Sequence, residues 1–507
     1  MIVSPKPPFR KHPRRILWIA ISATGIAAVL LYFHFSSLIS PSSQFAIVID
    51  AGSSGTRIHV FGYTREVGSL PSLDVKRTAV MRVSPGLSSY TEEPDRAGES
   101  LLDLLEFAKG KVEKKQWKNT EIRLMATAGL RMVDGGVEKS ILESCKRVLR
   151  SSGFRFQDNW ATVIPGSNEG IYAWVAANYA IGTLGGDPQK TIGIIELGGA
   201  SAQITFVSDE LLPPESSHVL KFGGTTYKLY SHSFLHFGQN MAQELLHKLL
   251  RTRSTKTLAE SAQHGIFEDP CSPKGYSLNT ELLVPNSSVS KLNQEYQPVV
   301  HAHGNFSNCR SASLMLLHKG KENCLDKRCH LGSAFVPELR GRFLATENFF
   351  FTSKFFGLNR TSSLSNLLLA GEQFCKEDWS KLKKRYHKME DADLSRYCFS
   401  SAYIVALLHD SLGIPLTDQS RIEFANKVGG IQIEWAVGAF IMQRMIESSQ
   451  NFYSITAVFH DNLALLLLLV SALVVFLSSC LVSRWRRPQL KTIYDLEKGC
   501  YIISHVG

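Results

Sequence analysis

The 507-residue sequence has little net positive charge outside its two ends. Its formal net charge is +11, but residues 1–15 contribute +5 without an acidic residue, and residues 483–507 contribute +3. The remaining +3 is spread over residues 16–482. Binding to nucleic acid needs positive charge concentrated on one surface. The charge distribution therefore gives no support to a nucleic-acid-binding function.

Long apolar runs are equally few, which argues against a transporter. Only 16–35 and 463–482 offer the ~20 uncharged residues that a helix needs to cross a bilayer. The first run could instead be a secretory signal, but it exceeds the 7–15 apolar residues of such signals, which favours an uncleaved anchor. Basic residues flank the outer end of both runs, so both termini are predicted to be cytosolic and the intervening chain lumenal or extracellular.

Potential modification sites lie between the two apolar runs. The three glycosylation sequons begin at Asn286, Asn305 and Asn359. An oxidising compartment would permit disulfides among the cysteines there, although their spacing alone leaves the pairing open. Seven of the nine cysteines fall in this region: Cys145, Cys271, Cys309, Cys324, Cys329, Cys375 and Cys398.

One short pattern occurs twice in the chain. An apolar segment ends at Asp50 in a Gly-Ser turn, and another ends at Glu196 in a Gly-Gly-Ala turn; each is followed by a second strand-like segment. A single turn of this kind is usually only a turn. Two copies with an acid in the same register favour a pair of phosphate-binding loops whose acids hold a hydrated Mg²⁺ or Ca²⁺.

Two further units of a predicted strand and turn lie between the copies, at Thr127 and at Gly166–Gly170, and the second runs into a predicted helix. Strands alternating with helices indicate an α/β architecture. Glu169 falls in the first helical turn, where the helix dipole favours a carboxylate without any function. The functional alternative is a general base directed at a water molecule.

The ordered motifs closely resemble the signature regions of the apyrase family, the nucleoside triphosphate diphosphohydrolases. They are Ile-Asp50-Ala-Gly-Ser-Ser-Gly-Thr, Ala-Thr127-Ala-Gly-Leu-Arg131, Gly166-Ser-Asn-Glu169-Gly, Glu196-Leu-Gly-Gly-Ala-Ser201-Ala-Gln203 and Trp435-Ala-Val-Gly438. The resemblance covers about 44–450 and implies an actin-like α/β fold of two ribonuclease-H-like halves with the active site in the cleft. The expected divisions are a cytosolic tail 1–15, membrane helix 16–35, stalk 36–43, half I 44–165 and 428–458, half II 166–427, membrane helix 463–482 and cytosolic tail 483–507.

The resemblance also implies the role of each site residue. Glu169 would activate the attacking water, Ser201 and Gln203 would position it, and Asp50 and Glu196 would hold Ca²⁺ or Mg²⁺ through water. It further implies the disulfides Cys271–Cys309, Cys324–Cys329 and Cys375–Cys398, with Cys145 free. The expected phosphate- and nucleotide-binding residues are Ser53, Ser54, Gly55, Thr127, Gly198, Gly199, Ala200, Phe351, Tyr397 and Trp435.

Some expected contacts have a structural alternative. In related enzymes two aromatic rings sandwich the nucleobase, and Tyr397 with Phe351 (or Phe350) fits that role; both could equally be core residues. Position 55 is often histidine in cell-surface members. Its replacement by Gly55 suggests a phosphate loop with one donor fewer, and hence an endomembrane enzyme that favours diphosphates. Two further positions depart from the family. Position 196 is usually Asp and is Glu here, and position 168 is often acidic and is Asn here.

The predicted function is metal-dependent hydrolysis of the terminal phosphate of nucleoside di- or triphosphates, at a Golgi, endomembrane or plasma membrane. An actin-fold kinase or polyphosphatase is disfavoured by the context of Glu169 and by the predicted lumenal topology. A receptor or scaffold on a decayed apyrase fold is disfavoured because Glu169, Ser201 and Gln203 are all present.

Overall fold

A computed structural model describes most of the chain between the two predicted membrane spans, and it divides into two compact units. The first unit comprises 1–66 and 70–443, and the second comprises 67–69 and 444–507. The predicted tail 1–15, the spans (apart from Leu473 and Phe476) and Asn286 lie outside the described residues. The structure describes residues 43–64, 70–258, 266–277, 299–324, 328–446, 473, 476, 489–495 and 500–506.

The first lobe is built on a five-stranded sheet in the order β3-β2-β1-β4-β5. Strand β1 pairs antiparallel with β2 and parallel with β4, and β4 pairs parallel with β5. The apolar run before Asp50 is buried on both faces of the sheet, as expected of a central strand. The strands are β1 (Ser43–Ala51), β2 (Thr56–Thr64), β3 (Ser72–Val83), β4 (Glu121–Ala126) and β5 (Ala161–Val163).

The second lobe repeats this arrangement in a six-stranded sheet of order β15-β14-β6-β7-β9-β8. Strands β6 and β7 form the antiparallel hairpin equivalent to β1 and β2, while β14 and β15 continue the sheet in parallel. The duplication predicted from the sequence is thus confirmed by topology. The strands are β6 (Gly193–Leu197), β7 (Ser201–Val207), β8 (Ser217–Phe222), β9 (Thr225–Leu235), β14 (Phe343–Glu347) and β15 (Ile422–Phe424).

Short strand pairs lie outside the two main sheets. Strands β10 and β11 pair in parallel, whereas the others form antiparallel hairpins, the last of them in the second compact unit. They are β10 (Ile266–Asp269), β11 (Val299–Ala302), β12 (Cys329–Leu331), β13 (Ala334–Phe335), β16 (Lys427–Val428), β17 (Ile431–Gln432), β18 (Gln489–Asp495) and β19 (Cys500–Val506).

Helices cover the sheets, and half of those described follow a strand. The last one, α12, packs Phe440 against Phe61 and Tyr63 of the first lobe, with the Phe440 and Phe61 ring centroids 4.8 Å apart. The helices are α1 (Pro94–Glu99), α2 (Leu102–Lys111), α3 (Ala128–Arg131), α4 (Gly135–Arg150), α5 (Gly166–Ile181), α6 (Gln239–Leu258), α7 (Phe306–Leu317), α8 (Asn348–Phe355), α9 (Leu364–Lys376), α10 (Trp379–Arg385), α11 (Asp391–Val405) and α12 (435–446).

Helix α5 and helix α12 approach closely at Gly438. A Cβ built at Gly438 would lie 1.7 Å from the carbonyl oxygen of Tyr172, so only glycine permits this contact. Tyr172 is three residues after Glu169, and Gly438 is three residues after Trp435. The contact therefore sets the spacing between two elements that supply site residues.

Disulfides stabilise the second lobe. Cys271–Cys309, Cys324–Cys329 and Cys375–Cys398 are bonded, which are the three pairs implied by the family resemblance. Cys145, in α4, is buried and free. The cysteines of the Cys271–Cys309 and Cys375–Cys398 bridges lie in the hydrophobic core of the second lobe and are almost completely inaccessible to solvent.

Asn305 and Asn359, the two sequon asparagines that the structure describes, are exposed. Asn305 caps α7 by accepting a hydrogen bond at Oδ1 from the Asn308 amide, at 3.0 Å. This cap leaves Nδ2, the atom that carries an N-linked glycan, outside the hydrogen bond.

Among the helices of the described ranges, none combines the length and the hydrophobicity that a bilayer-spanning helix requires.

Candidate active site

The cleft between the lobes contains a cavity of about 360 Å³ whose walls come from both repeats. The acid of each hairpin faces the cleft, and each pairs across its hairpin with a polar residue: Asp50 with Arg57, and Glu196 with Gln203. The lining includes most of the predicted site: Asp50, Ser53, Ser54, Gly55, Thr127, Glu169, Glu196, Gly198, Gly199, Ala200, Ser201, Gln203, Phe351 and Trp435.

The two turns face one another across the cavity. A Cβ built at Gly199 in the second turn would lie 2.9 Å from Ser53 Oγ in the first. Thr127 precedes α3 and joins the first turn, because its amide donates to the Ala51 carbonyl at 3.2 Å. Backbone amides and hydroxyls from both repeats are thereby gathered in one place, an arrangement that suits the oxygens of a phosphate chain.

Glu169 lies in the first turn of α5 and is buried at the floor of the cleft. Arg131 Nη2 donates to Glu169 Oε2 at 3.0 Å, while Arg131 Nη1 donates to the Ile164 carbonyl at 3.1 Å. Burial raises the pKa of Glu169 to about 7, and the charge of Arg131 opposes that increase. A carboxylate with a pKa near neutrality is well matched to accepting a proton.

Ser201 and Gln203 form a hydrogen-bonded group next to this carboxylate. Gln203 Nε2 donates to Ser201 Oγ at 2.7 Å and to Ser233 Oγ at 2.9 Å. Arg131 Nη2 also lies 3.5 Å from Ser201 Oγ. Ser201 Oγ accepts from Gln203 Nε2 and faces Arg131 Nη2, so its own hydroxyl proton points away from both and can be donated to another group. The Gln203 amide nitrogen is likewise committed, which leaves Oε1 for a further donor.

The two hairpin acids fit a hydrated divalent cation. Asp50 Oδ1 and Glu196 Oε2 are buried, and neither has a hydrogen-bond partner among the described residues. Burial raises the pKa of Asp50 to about 6 although Arg57 opposes the increase, and burial together with the neighbouring carboxylates raises the pKa of Glu196 well above its usual value. Within the described ranges no three His, Cys, Asp or Glu side chains group as direct ligands of one ion. Contact through water agrees with both observations.

Several residues around the cation acids were not predicted. Arg57 lies 3.3 Å from Asp50 Oδ2 and 3.7 Å from Glu347 Oε2. Glu347 has φ 58° and ψ −120°, a conformation that costs about 1–3 kcal/mol for a residue other than glycine. The Asn426 side chain stabilises it by accepting from the Glu347 amide at 2.7 Å. The other unpredicted lining residues include Arg82, Asn240, Asn348, Asp393, Arg396 and Glu434.

A sequence signal for Glu347 and Arg57 did exist. Glu347 ends an apolar strand in the same way as Asp50 and Glu196, and parallel strands of one sheet end at the same edge. Arg57 occupies the hairpin position that corresponds to Gln203 in the second copy. Both could therefore have been proposed from the duplication.

The expected aromatic clamp is not formed. Phe351 lines the cavity and is 46% exposed, whereas Tyr397 is absent from the lining. Tyr397 stacks on Phe355 instead, with ring centroids 3.6 Å apart and the planes within 5° of parallel. The sequence could not distinguish the phenylalanines of α8, because the helix turns each in a different direction. In this structure Tyr397 packs on Phe355, and its role with Phe351 (or Phe350) in holding a nucleobase stays a prediction.

Comparisons with known proteins agree with the geometry. Residues 37–457 match the GDA1/CD39 (nucleoside phosphatase) family. The chain belongs to this family. It is 50% identical to probable apyrase 6 of Arabidopsis thaliana (98% of this chain, 92% of the relative) and 29% identical to ectonucleoside triphosphate diphosphohydrolase 1 of Bos taurus (84% and 86%). The fold matches nucleoside triphosphate hydrolases from Neospora caninum with a TM-score of 0.59 at 17% identity, over 84% of this chain and 97% of that one.

Membership of the GDA1/CD39 family settles the class of activity. The protein is a nucleoside phosphatase that hydrolyses phosphate from nucleotides, on an α/β actin-like fold of two lobes. The alternatives of a kinase and of an inactive receptor are not favoured.

Activity should fall as the pH drops below about 7, because Glu169 must be ionised to accept a proton. Arg131 favours the ionised form, so Arg131→Gln should raise the pKa of Glu169 and move the acidic limb of the profile to higher pH. The measurement is log(kcat/KM) against pH for both proteins. An acidic limb that stays in place in the variant would show that Arg131 does not set the pKa of the base.

Proposed function

We propose that this enzyme removes the terminal phosphate of nucleoside di- and triphosphates, with Glu169 as the general base. The observation that carries the proposal is the buried carboxylate of Glu169, held at 3.0 Å by Arg131 beside the Ser201–Gln203 pair. Its pKa of about 7 leaves a large ionised fraction at neutral pH. A base of this kind typically accounts for about 10²–10⁴-fold of a rate enhancement.

The same residues would orient the attacking water. Glu169 accepts one proton of the water, and Gln203 Oε1, left free by the two hydrogen bonds of Nε2, accepts the other. Ser201 can donate its own proton to the water or to a phosphate oxygen. The oxygen of the water is then directed at phosphorus, in line with the leaving oxygen.

The phosphate chain would lie between the two turns. Amides and hydroxyls of Ser53, Ser54 and Thr127 on one side, and of the Gly198–Ala200 turn on the other, would donate to its oxygens. Asp50 and Glu196 would hold Ca²⁺ or Mg²⁺ through water, in keeping with a family that depends on divalent cations. That cation would neutralise charge that develops on the phosphate oxygens.

The test is phosphate release by the full-length protein in detergent, with nucleoside di- and triphosphates and with Ca²⁺ or Mg²⁺ added in turn. Chelation should abolish activity. Asp50→Asn should raise the cation concentration needed for half-maximal activity, by roughly 10–100-fold if the carboxylate acts through water. An unchanged cation requirement in Asp50→Asn would exclude this residue from the cation site.

We further propose a membrane-anchored glycoprotein with both termini cytosolic. The support is the two apolar runs with basic outer flanks and the exposure of Asn305 and Asn359. Endoglycosidase should lower the apparent mass of protein made in cells, and tags at both termini should be cleavable by protease outside sealed microsomes. Protection of either tag would contradict two spans.

A further inference from the structure

Arg82 lies where a side chain at position 55 would otherwise be. A Cβ built at Gly55 would be 2.7 Å from Arg82 Nε, 3.1 Å from its Nη2 and 2.8 Å from the Val83 carbonyl oxygen. All three distances are shorter than a normal contact, so the space is already filled. Arg82 therefore supplies a donor beside the first phosphate loop, at the place of a side chain at position 55, and the preference for diphosphates stays a prediction.

The first phosphate loop contacts Arg82 through one guanidinium nitrogen, Nη2. Arg82 Nη2 donates to the Ser54 carbonyl at 3.0 Å and to Ser54 Oγ at 3.2 Å. Strand β3 fixes the backbone, because Arg82 pairs with Arg57 across to β2. The guanidinium is thus held at the loop through Nη2, and Arg82 forms part of the cavity wall.

Arg82 differs from the other arginines of the cavity wall in its partners. Arg57 contacts Asp50 and Glu347, and Arg396 lies 3.8 Å from Asp393. Arg82 contacts only neutral oxygens of Ser54 within the described part of the chain. Glu347 and Asp50 act on this charge only from a distance, without a direct contact.

The cavity wall carries an excess of negative charge, which a cation such as Arg82 partly offsets for an anionic substrate. The acids of the lining outnumber its arginines, and a phosphate chain adds further negative charge. Arg82 also lies near the positive charge of Arg57; burial and that charge lower the pKa of Arg82, while Glu347 and Asp50 oppose the decrease. A phosphate oxygen would relieve the repulsion between the two arginines. The acids are Asp50, Glu169, Glu196, Glu347, Asp393 and Glu434.

We propose that Arg82 is a substrate-binding residue that donates charge-assisted hydrogen bonds to the phosphate chain, from the position that a larger residue at 55 would occupy. The proposal rests on the proposed nucleotide phosphohydrolase function and extends it to a specific recognition residue. A planar guanidinium anchored through one nitrogen retains donors that suit two oxygens of a phosphate. Arg82 would contact the phosphate chain equally in the bound substrate and in the transition state. Its loss should therefore raise KM and leave kcat nearly unchanged.

The test compares Arg82→Met and Arg82→Lys with the full-length wild type, following nucleoside monophosphate formed from UDP. Loss of a charge-assisted contact should raise KM by about 10–100-fold in Arg82→Met, with kcat changed by less than about threefold. Arg82→Lys keeps the charge but not the fork, so its KM should be intermediate. Arg77→Met is the matched control, because Arg77 lies on the same strand over the Phe45 ring and does not line the cavity.

The order of KM values decides the outcome. Phosphate binding by Arg82 is supported if the wild type and Arg77→Met share the lowest KM, Arg82→Lys has a higher KM and Arg82→Met has the highest. Equal KM values for the wild type and both Arg82 variants, or an equal rise in Arg82→Lys and Arg82→Met, would overturn it, since a structural role would not follow charge. Inactive wild-type protein would instead contradict the proposed function.

Discussion

Glu169→Gln is expected to reduce kcat by about 10²–10⁴-fold while nucleotide binding is retained. The amide has nearly the shape of the carboxylate and can still contact Arg131, but it cannot accept a proton from water. The measurement is single-turnover phosphate release, together with calorimetric titration of a non-hydrolysable nucleotide. Because the side chain is buried, the variant must also be shown to melt at a temperature close to that of the wild type.

Two outcomes would contradict the assignment of Glu169. A kcat within a few-fold of the wild type would mean that another group accepts the proton. Loss of nucleotide binding along with turnover would mean that Glu169 supports the cleft instead of activating water. Ser233→Ala offers a milder comparison, since it removes one of the two acceptors of Gln203 Nε2 without touching the base.

Gly438→Ala is expected to be nearly as damaging, although the change is a single methyl group distant in sequence from the phosphate loops. The new Cβ would lie 1.7 Å from the Tyr172 carbonyl oxygen, so α5 and α12 must separate. Overpacking of this kind typically costs about 1–3 kcal/mol of stability. The displacement also moves Glu169 relative to Trp435, and a misplacement near 1 Å can lower kcat by about 100-fold.

Gly110→Ala is the matched control for this substitution. Gly110 is an exposed glycine in helix α2, and a Cβ built there would have no neighbour within 4 Å. The same chemical change should therefore leave kcat unchanged and raise the stability slightly, by about 0.4–1 kcal/mol. Thermal unfolding and kcat of both variants check the prediction. Wild-type activity in Gly438→Ala would show that the helices can separate without disturbing the site.

The first lobe and the start of the second could be predicted from the sequence because their strands end in recognisable turns. The acids at Asp50 and Glu196, and the helix that begins at Gly166, were placed correctly by pattern. The region after Asp209 could not be read in the same way. In α11, almost every residue from Leu394 to Val405 is buried, so no polar face contrasts with an apolar one and the helical period disappears.

The same physical limit explains which site residues were missed. Residues supplied by a turn after a strand carry a local signal, whereas Arg82 lies inside the edge strand β3, ahead of the turn, where its sequence neighbours do not mark it as a site residue. Arg396 and Tyr397 are neighbours on a helix, yet only Arg396 lines the cavity. Which of two adjacent helical side chains faces a cleft depends on packing against the rest of the lobe. The rotation of a helix about its axis, which decides this, could not be predicted from the single sequence.

The placement of the three disulfides has a practical consequence for making the enzyme. All of them lie between Cys271 and Cys398, so a reducing cytosol would remove covalent links from one wall of the cleft and leave the opposite wall intact. Breaking native bridges of this kind typically costs about 2–5 kcal/mol each. Protein produced in a bacterial cytoplasm would then be soluble in part yet deficient in specific activity, and expression through a secretory route would be the better choice.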